Sequence, residues 1–263
     1  MAQRKKLIVG NWKMNMNVHQ ASIFIHHLSK KVAVHRDVEV VVSPTMLALQ
    51  PLSLQIDRRQ FKLAVQNFYS RDSGAFTGEV SATQLSGLVD YALVGHSERR
   101  HVFHEHDKLI RDKVQAAVRN RIKPILCVGE TAHDRSEGET KAVLHDQLVG
   151  GLANITSEEL GSVVIAYEPV WAIGTGKNAM PDDVKKAVHA IRNQIKHLFG
   201  EAAAQSIRVL YGGSVKPDSA ASYLAIPGVD GLLVGGASIN VHEFESIVAS
   251  AHHKADAPEA WAL

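Results

Sequence analysis

Eight times along this chain a short, largely apolar run is followed by a stretch with helical spacing, and this alternation constrains the fold more than any other feature. The apolar runs are Leu7–Gly10, Val38–Val42, Leu63–Val65, Tyr91–Val94, Pro124–Val128, Val163–Tyr167, Ile207–Leu210 and Gly231–Val234. Most are rich in Val, Ile and Leu and lack polar alternation, the pattern of strands buried on both faces. Between them, "KLIRDKVQAAVRNR" sets Leu109, Ile110, Val114, Ala117 and Val118 along one helical face. "PDDVKKAVHAIRNQIKHLF" opens with Pro181 and two acids, as helix N-termini favour, and carries Val184, Val188, Ile191, Ile195 and Leu198. The last helical segment is Val241–His252. Strict alternation predicts a parallel sheet. Eight repeats in roughly 250 residues predict an α/β fold closed as a (β/α)8 barrel, with parallel strands inside and helices outside. An open doubly wound sheet is the competing architecture, but "GNWKMN" follows the first strand where its G-x-G-x-x-G would stand.

No linker or break in composition divides the 263 residues, so residues 1–252 are expected to form one barrel domain. Residues 253–263, an Ala-rich tail with one proline, are expected to be poorly ordered unless Trp261 docks. Charge is near balance, with 29 basic and 27 acidic residues, and no basic block has the density that nucleic acid or a membrane surface would require. Neither partner is expected. The single cysteine, Cys127, rules out an internal disulfide and fits a reducing compartment. The apolar run Leu7–Val9 is too short for a secretory signal, and no stretch approaches a membrane span. A cytoplasmic protein is expected.

Barrel chemistry sits where strands end and loops begin. After the first strand comes Lys13, which either projects into the barrel mouth or snorkels to solvent as most lysines do. After the fourth comes "VGHSERR", in which His96 precedes what reads as a short helix. The partial positive charge of a helix N-terminus disfavours the imidazolium, so His96 is expected to be neutral; the alternative is a packed or surface histidine. After the sixth comes Glu168, in "AYEPVWAIGTGK". A phosphate-binding P-loop fails at both ends there, since Gly176-Lys177 is followed by Asn178 and Trp171 stands where the first glycine should. Pro169 instead stiffens Glu168 in extended geometry. The loop on to Pro181 is too long for an ordinary βα connection, and Val170, Trp171 and Ile173 give it apolar bulk suited to a lid over a water-excluding site.

After the seventh and eighth strands come "YGGSVKP" and "VGGAS". One Gly-Gly reads as a tight turn. Two, on adjacent final strands, read as a phosphate cradle, because loops there commonly bind phosphate through backbone N–H groups. An acid, a lysine, a poised histidine and a phosphate site, without a metal ligand set, point to proton abstraction next to a carbonyl. The cation and imidazole would stabilise enediolate oxygens.

"GNWKMN", "GAFTGE", "GHSERR", "ILCVGE", "AYEPVWAIGTGK", "YGGSV" and "LLVGGAS", in this order along nearly the whole chain, resemble the triosephosphate isomerase family, whose fold is the TIM barrel. The resemblance implies interconversion of dihydroxyacetone phosphate and D-glyceraldehyde 3-phosphate, in glycolysis and gluconeogenesis, with no cofactor. It implies that Glu168 is the base, His96 the electrophile and proton shuttle, Lys13 the source of positive charge, and that Asn11 helps to hold substrate. Glu98 matches a supporting carboxylate behind the site. The N–H groups of Gly174, Ser214, Gly235 and Gly236 would bind phosphate under a lid spanning Pro169–Lys177. The segment Asn67 to Ser81 matches a loop that inserts into a second subunit, with Thr77 near the partner's active site, so a homodimer is expected.

Met16 stands where the family often has glycine, and "SPTML" replaces a commoner Pro-Pro turn. His101, His104 and His106 lie close in sequence, but only the first two share a helix face and no closed ligand set completes a metal site, so none is expected. Cys127 reads as a packed thiol. The competing reading is a catalytically silent phosphate-binding or surface-adhesion module on the same barrel; it would need a lost catalytic residue or a blocked lid.

Overall fold

The computed structural model describes residues 4–34, 36–174 and 178–252. Thr175, Gly176, Lys177 and the tail 253–263, Trp261 included, lie outside the described residues. The strands are β1 (Lys6–Asn11), β2 (Val38–Ser43), β3 (Lys62–Val65), β4 (Tyr91–Val94), β5 (Lys123–Val128), β6 (Val164–Tyr167), β7 (Arg208–Tyr211) and β8 (Gly231–Val234). Each pairs in parallel with the next, and β8 returns to β1 in the register Leu7↔Gly231, which closes the barrel.

Successive side chains of a strand point to opposite faces, so each apolar run feeds two cores. Leu7, Val9, Val41, Leu93, Ile125 and Leu233 pack with one another inside the barrel. Their neighbours Ile8, Val40, Val42, Val94 and Leu126 belong to the core shared with the helices. Strands filled on both sides have little place for polar alternation, which is why the runs are apolar but for Glu39 and Arg208 near strand starts. At the closing seam Gly231 is required by space, since a Cβ there would lie 1.8 Å from the Leu7 carbonyl oxygen.

The expected strands stand within one or two residues of those observed. β7 is displaced by one, to Arg208–Tyr211, and Arg208 at its start lies at the closed end of the barrel. Its guanidinium meets Glu39 at 3.0 Å and donates to the Tyr91 hydroxyl at 2.7 Å, and that hydroxyl donates to Glu39 at 2.9 Å. This network closes the end where the strands begin. The helix Asp107–Arg119 corrects the expected apolar stripe: Ile110, Val114 and Ala117 are buried, but Leu109 and Val118 are only half-buried, and Lys113 is buried in their stead. A lysine is tolerated there because Glu105 pairs with it and the Asn67 side chain accepts from it at 2.7 Å. Among the described residues, no helix is long and apolar enough to cross a membrane.

Candidate active site

β1 delivers Asn11 to the open end of the barrel, and the chain then turns sharply. Lys13 has φ +51, the left-handed region that non-glycine residues seldom enter. Both sides of its peptide are held. The Lys13 N–H donates to Asn11 Oδ1 at 3.1 Å, and Gln66 Nε2 donates to the Lys13 carbonyl at 2.9 Å. The ammonium does not trail into solvent: Nζ lies 2.5 Å from Glu98 Oε1.

β4 ends at Val94, and His96 caps the five-residue helix Ser97–His101, its Nδ1 accepting the Glu98 N–H at 3.2 Å. That nitrogen is therefore unprotonated, and the ring proton sits on Nε2. Nε2 lies 3.0 Å from Glu168 Oε1, while Glu168 Oε2 accepts the Ser97 N–H at 2.8 Å. Both residues are buried, with 6% of His96 and 2% of Glu168 exposed, so His96 is not a surface histidine. Burial alone would raise the Glu168 pKa, but the His96 ring and the Ser97 N–H hold it below the ordinary carboxylate value. For His96, burial works against the imidazolium, yet the Glu168 charge outweighs it and raises the pKa. The expectation that the helix terminus alone decides the charge of His96 is thus incomplete. The bare Nδ1 still fixes a neutral ring, with its donor aimed at the carboxylate.

Glu168 emerges directly from β6 with its N–H donating to the Val128 carbonyl at 2.8 Å. Beside it Gly129 has no alternative, because a Cβ there would lie 1.7 Å from the Glu168 carbonyl oxygen. The arm that follows is braced by Glu130, which is fully buried. Its carboxylate accepts from Trp171 Nε1 at 2.8 Å and from the Tyr167 hydroxyl at 3.1 Å. Arg135 lies over the Trp171 ring at 4.2 Å and pairs with Asp183 at 2.9 Å, so it touches the arm at one end and the start of the helix Pro181–Phe199 at the other. Ile173 and Gly174, the latter at φ +70, face the cavity.

Across the mouth, Gly212, Gly213 and Ser214 follow β7, and Gly235 and Gly236 follow β8. Packing explains one of the glycines, since a Cβ on Gly213 would lie 2.1 Å from the Tyr211 hydroxyl oxygen. It does not explain Gly236, which has nothing within 4 Å of where a Cβ would stand. Gly236 opens a single 3-10 turn, Gly236–Ile239, beside the cavity, the kind of terminus whose N–H groups accept an anion.

These elements enclose one cavity of about 640 Å³, lined among others by Lys13, His96, Glu168, Gly174, Ser214 and Gly236. Asn11, Glu98 and Gly235 line it too. Thr77 does not; it is exposed, on a loop closed by Tyr69 stacking against Phe76 at 4.5 Å. Cys127 is buried inside the barrel, where burial pushes its thiol pKa well up. His101 lines the cavity, whereas His104 and His106 do not, and among the described residues no cluster of three or more potential metal ligands occurs. Sequence reasoning missed Gln66, Glu130 and Arg135. Glu130 ends the quoted motif "ILCVGE" and was findable there, while an isolated glutamine or arginine carries no signal of its own.

The chain matches the family model described as Triosephosphate isomerase over residues 6–251. It is 44% identical over 251 residues to a triosephosphate isomerase of Chloroherpeton thalassium, covering 94% of this chain and 99% of that protein. A triosephosphate isomerase of Carboxydothermus hydrogenoformans is 45% identical over 246 residues, covering 93% and 98% respectively. One from Clostridium tetani is 41% identical, covering 93% and 96%.

Proposed function

This chain belongs to the triosephosphate isomerase family, and we propose that Glu168, His96 and Lys13 carry out its proton transfers. The reaction interconverts dihydroxyacetone phosphate and D-glyceraldehyde 3-phosphate. Glu168 takes a proton from one substrate carbon, an enediolate forms, and the same carboxyl returns a proton to the neighbouring carbon. To reach substrate the carboxylate must leave the Ser97 N–H and His96, the two partners that lower its pKa. What remains is burial, the largest influence, which raises it, against the smaller lowering by the Lys13 charge, so the base strengthens as it engages. The departure frees the His96 Nε2–H to donate to a substrate oxygen. Nδ1 stays on the Glu98 N–H, so exchange of protons between the two oxygens runs through Nε2 alone. Lys13 offsets the developing negative charge, and Asn11 holds substrate while capping the Lys13 N–H. The N–H groups of Gly174, Ser214, Gly235 and Gly236 take the phosphate.

The observation that carries this reading is the buried Glu168 carboxylate, 3.0 Å from His96 in a cavity that also receives Lys13 and the glycine turns. No residue that the silent-module reading would need to be lost is missing. Isomerisation run in D2O and followed by NMR tests the scheme. Solvent deuterium should enter at the carbon that receives the proton. No deuterium in product or in recovered substrate, even after full equilibration, would contradict the scheme and favour a direct hydride shift.

A homodimer built on the loop Asn67 to Ser81, with Thr77 at the partner's site, belongs to the same proposal. Support comes from apolar groups around the rim of the mouth: Met14, Leu47, Phe76, Val102 and Phe103 are all exposed in the single chain. Met16, which departs from the family's glycine, takes φ +66 and packs half-buried against the core, so it keeps a glycine-like backbone beside this surface. Sedimentation of Phe76→Asp beside the wild type tests the assembly; a wild type that sediments as a monomer would contradict it. A cytoplasmic setting, supported by the single buried cysteine, completes the reading.

A further inference from the structure

We infer that Gln66, which has no chemistry of its own, is the positioning residue that places the Lys13 ammonium in the site. The inference rests on Lys13 acting as proposed above. Lys13 sits at φ +51, a conformation that an L-residue leaves unless its surroundings hold it. Its N–H is bound by Asn11, the residue two before it, which is tied from the β8 side by the Ser238 hydroxyl donating to the Asn11 carbonyl at 3.2 Å. Its carbonyl is bound by Gln66 alone among the described residues.

Gln66 follows β3 directly and reaches across the end of β2. Its amide donates at 2.9 Å to the Lys13 carbonyl and at 2.9 Å to the Ser43 carbonyl. The Ser43 carbonyl also accepts the Trp12 N–H at 3.1 Å, so one amide group ties the ends of three neighbouring strands at the residue of least favourable backbone. Both donors of a primary amide are needed for this, and no carboxylate or hydroxyl supplies two. Without the clamp the Lys13 peptide can turn out of the left-handed region. That turn redirects Cα–Cβ, and the side chain no longer leads toward Glu98 and the cavity. Gln66 therefore acts through Lys13 and does not touch substrate.

A double-mutant cycle on the full chain tests this, with kcat and KM measured for D-glyceraldehyde 3-phosphate. Protein concentrations are set so that sedimentation shows the wild-type assembly state for every variant. Gln66→Met, which keeps length and volume but has no donor, should lower kcat/KM by about a hundredfold, the effect of an ångström-scale misplacement. In a Lys13→Met background the same change should cost less than about threefold, since residues acting as one unit are not additive. An equal loss in both backgrounds, or a change in melting temperature without a change in kcat, overturns the inference and leaves Lys13 in its role. Unimpaired Lys13→Met overturns the role of Lys13 and the inference with it. Should Gln66→Met fail to fold, Gln66→Asn serves with the same expectations, since it keeps the donors but is too short to bridge both carbonyls.

Discussion

Nε2 of His96 lies 3.0 Å from Oε1 of Glu168, across the gap between the end of β4 and the end of β6. In the proposed scheme the contact joins the two groups whose protonation states the reaction exchanges, and both are buried. Because the Ser97 N–H holds the other carboxylate oxygen at 2.8 Å, the proposed base is held in a defined place.

Shortening the base should break this arrangement without breaking the fold. Glu168→Asp withdraws the carboxyl by about 1 Å, which should lower kcat on the order of a hundredfold. Circular dichroism and denaturant midpoint should stay close to the wild type. Turnover near normal would remove Glu168 from the base's role.

Two glycines of the mouth should respond in opposite ways to an added methyl group. Gly129→Ala forces a Cβ to within 1.7 Å of the Glu168 carbonyl oxygen, a backbone atom that cannot step aside. Its cost should lie at or beyond the top of the ~1–3 kcal/mol usual for overpacking. Gly236→Ala meets no atom within 4 Å and should change stability by less than about 0.5 kcal/mol. If the Gly236 N–H serves phosphate, its alanine variant should nonetheless raise KM. Denaturant titration and steady-state kinetics on both variants separate the two effects.

The Glu105–Lys113 pair lies beneath the base of the proposed dimer loop, each side chain only 4% exposed. Glu105 also meets Arg99, and Lys113 donates to Asn67, the first residue of the loop. Glu105→Gln leaves two cations with one neutral partner and should cost about 3–5 kcal/mol, as does breaking other buried pairs. The variant should also dissociate at higher protein concentration than the wild type. Sedimentation over a dilution series reads this directly.

Acid should unfold the protein through the same carboxylates. Burial pushes Glu39 and Glu105 upward, but Arg208 for the one and Lys113 with Arg99 for the other hold them below the ordinary 4.5. A carboxylate lowered in the fold contributes stability above its unfolded pKa, and that stability is lost as pH falls through the lowered value. Melting temperature should therefore hold level down to about pH 4.5 and fall below it. Glu130, raised by burial, acts in a separate window above 4.5, where its contribution grows as pH falls, and it leaves the slope below 4.5 unchanged. Glu39→Gln should lower the neutral plateau and flatten the acid limb.

Much of the barrel was legible because strands buried on both faces must be largely apolar, and eight such runs leave few architectures open. Glu168, His96 and Lys13 were legible as strand-end residues, and the structure brings all three to one cavity. What escaped was contact between distant positions. The lysine in the apolar stripe of Asp107–Arg119 depends on Glu105 and Asn67, eight and 46 positions away along the chain. Gln66 and Arg135 matter only for what they reach, and nothing in their own neighbourhoods says so. The pull of Glu168 on the His96 ring was not legible for the same reason, since a helix terminus is visible in sequence and a carboxylate 3.0 Å away in space is not.

The most direct measurement is turnover of D-glyceraldehyde 3-phosphate by the purified wild type beside Glu168→Gln, both shown to be folded and in the same assembly state. The account predicts rapid isomerisation by the wild type and loss of nearly all of it in the variant, which keeps the size of the side chain but not its basicity. Equal turnover by the two proteins, or none by the wild type, would contradict it.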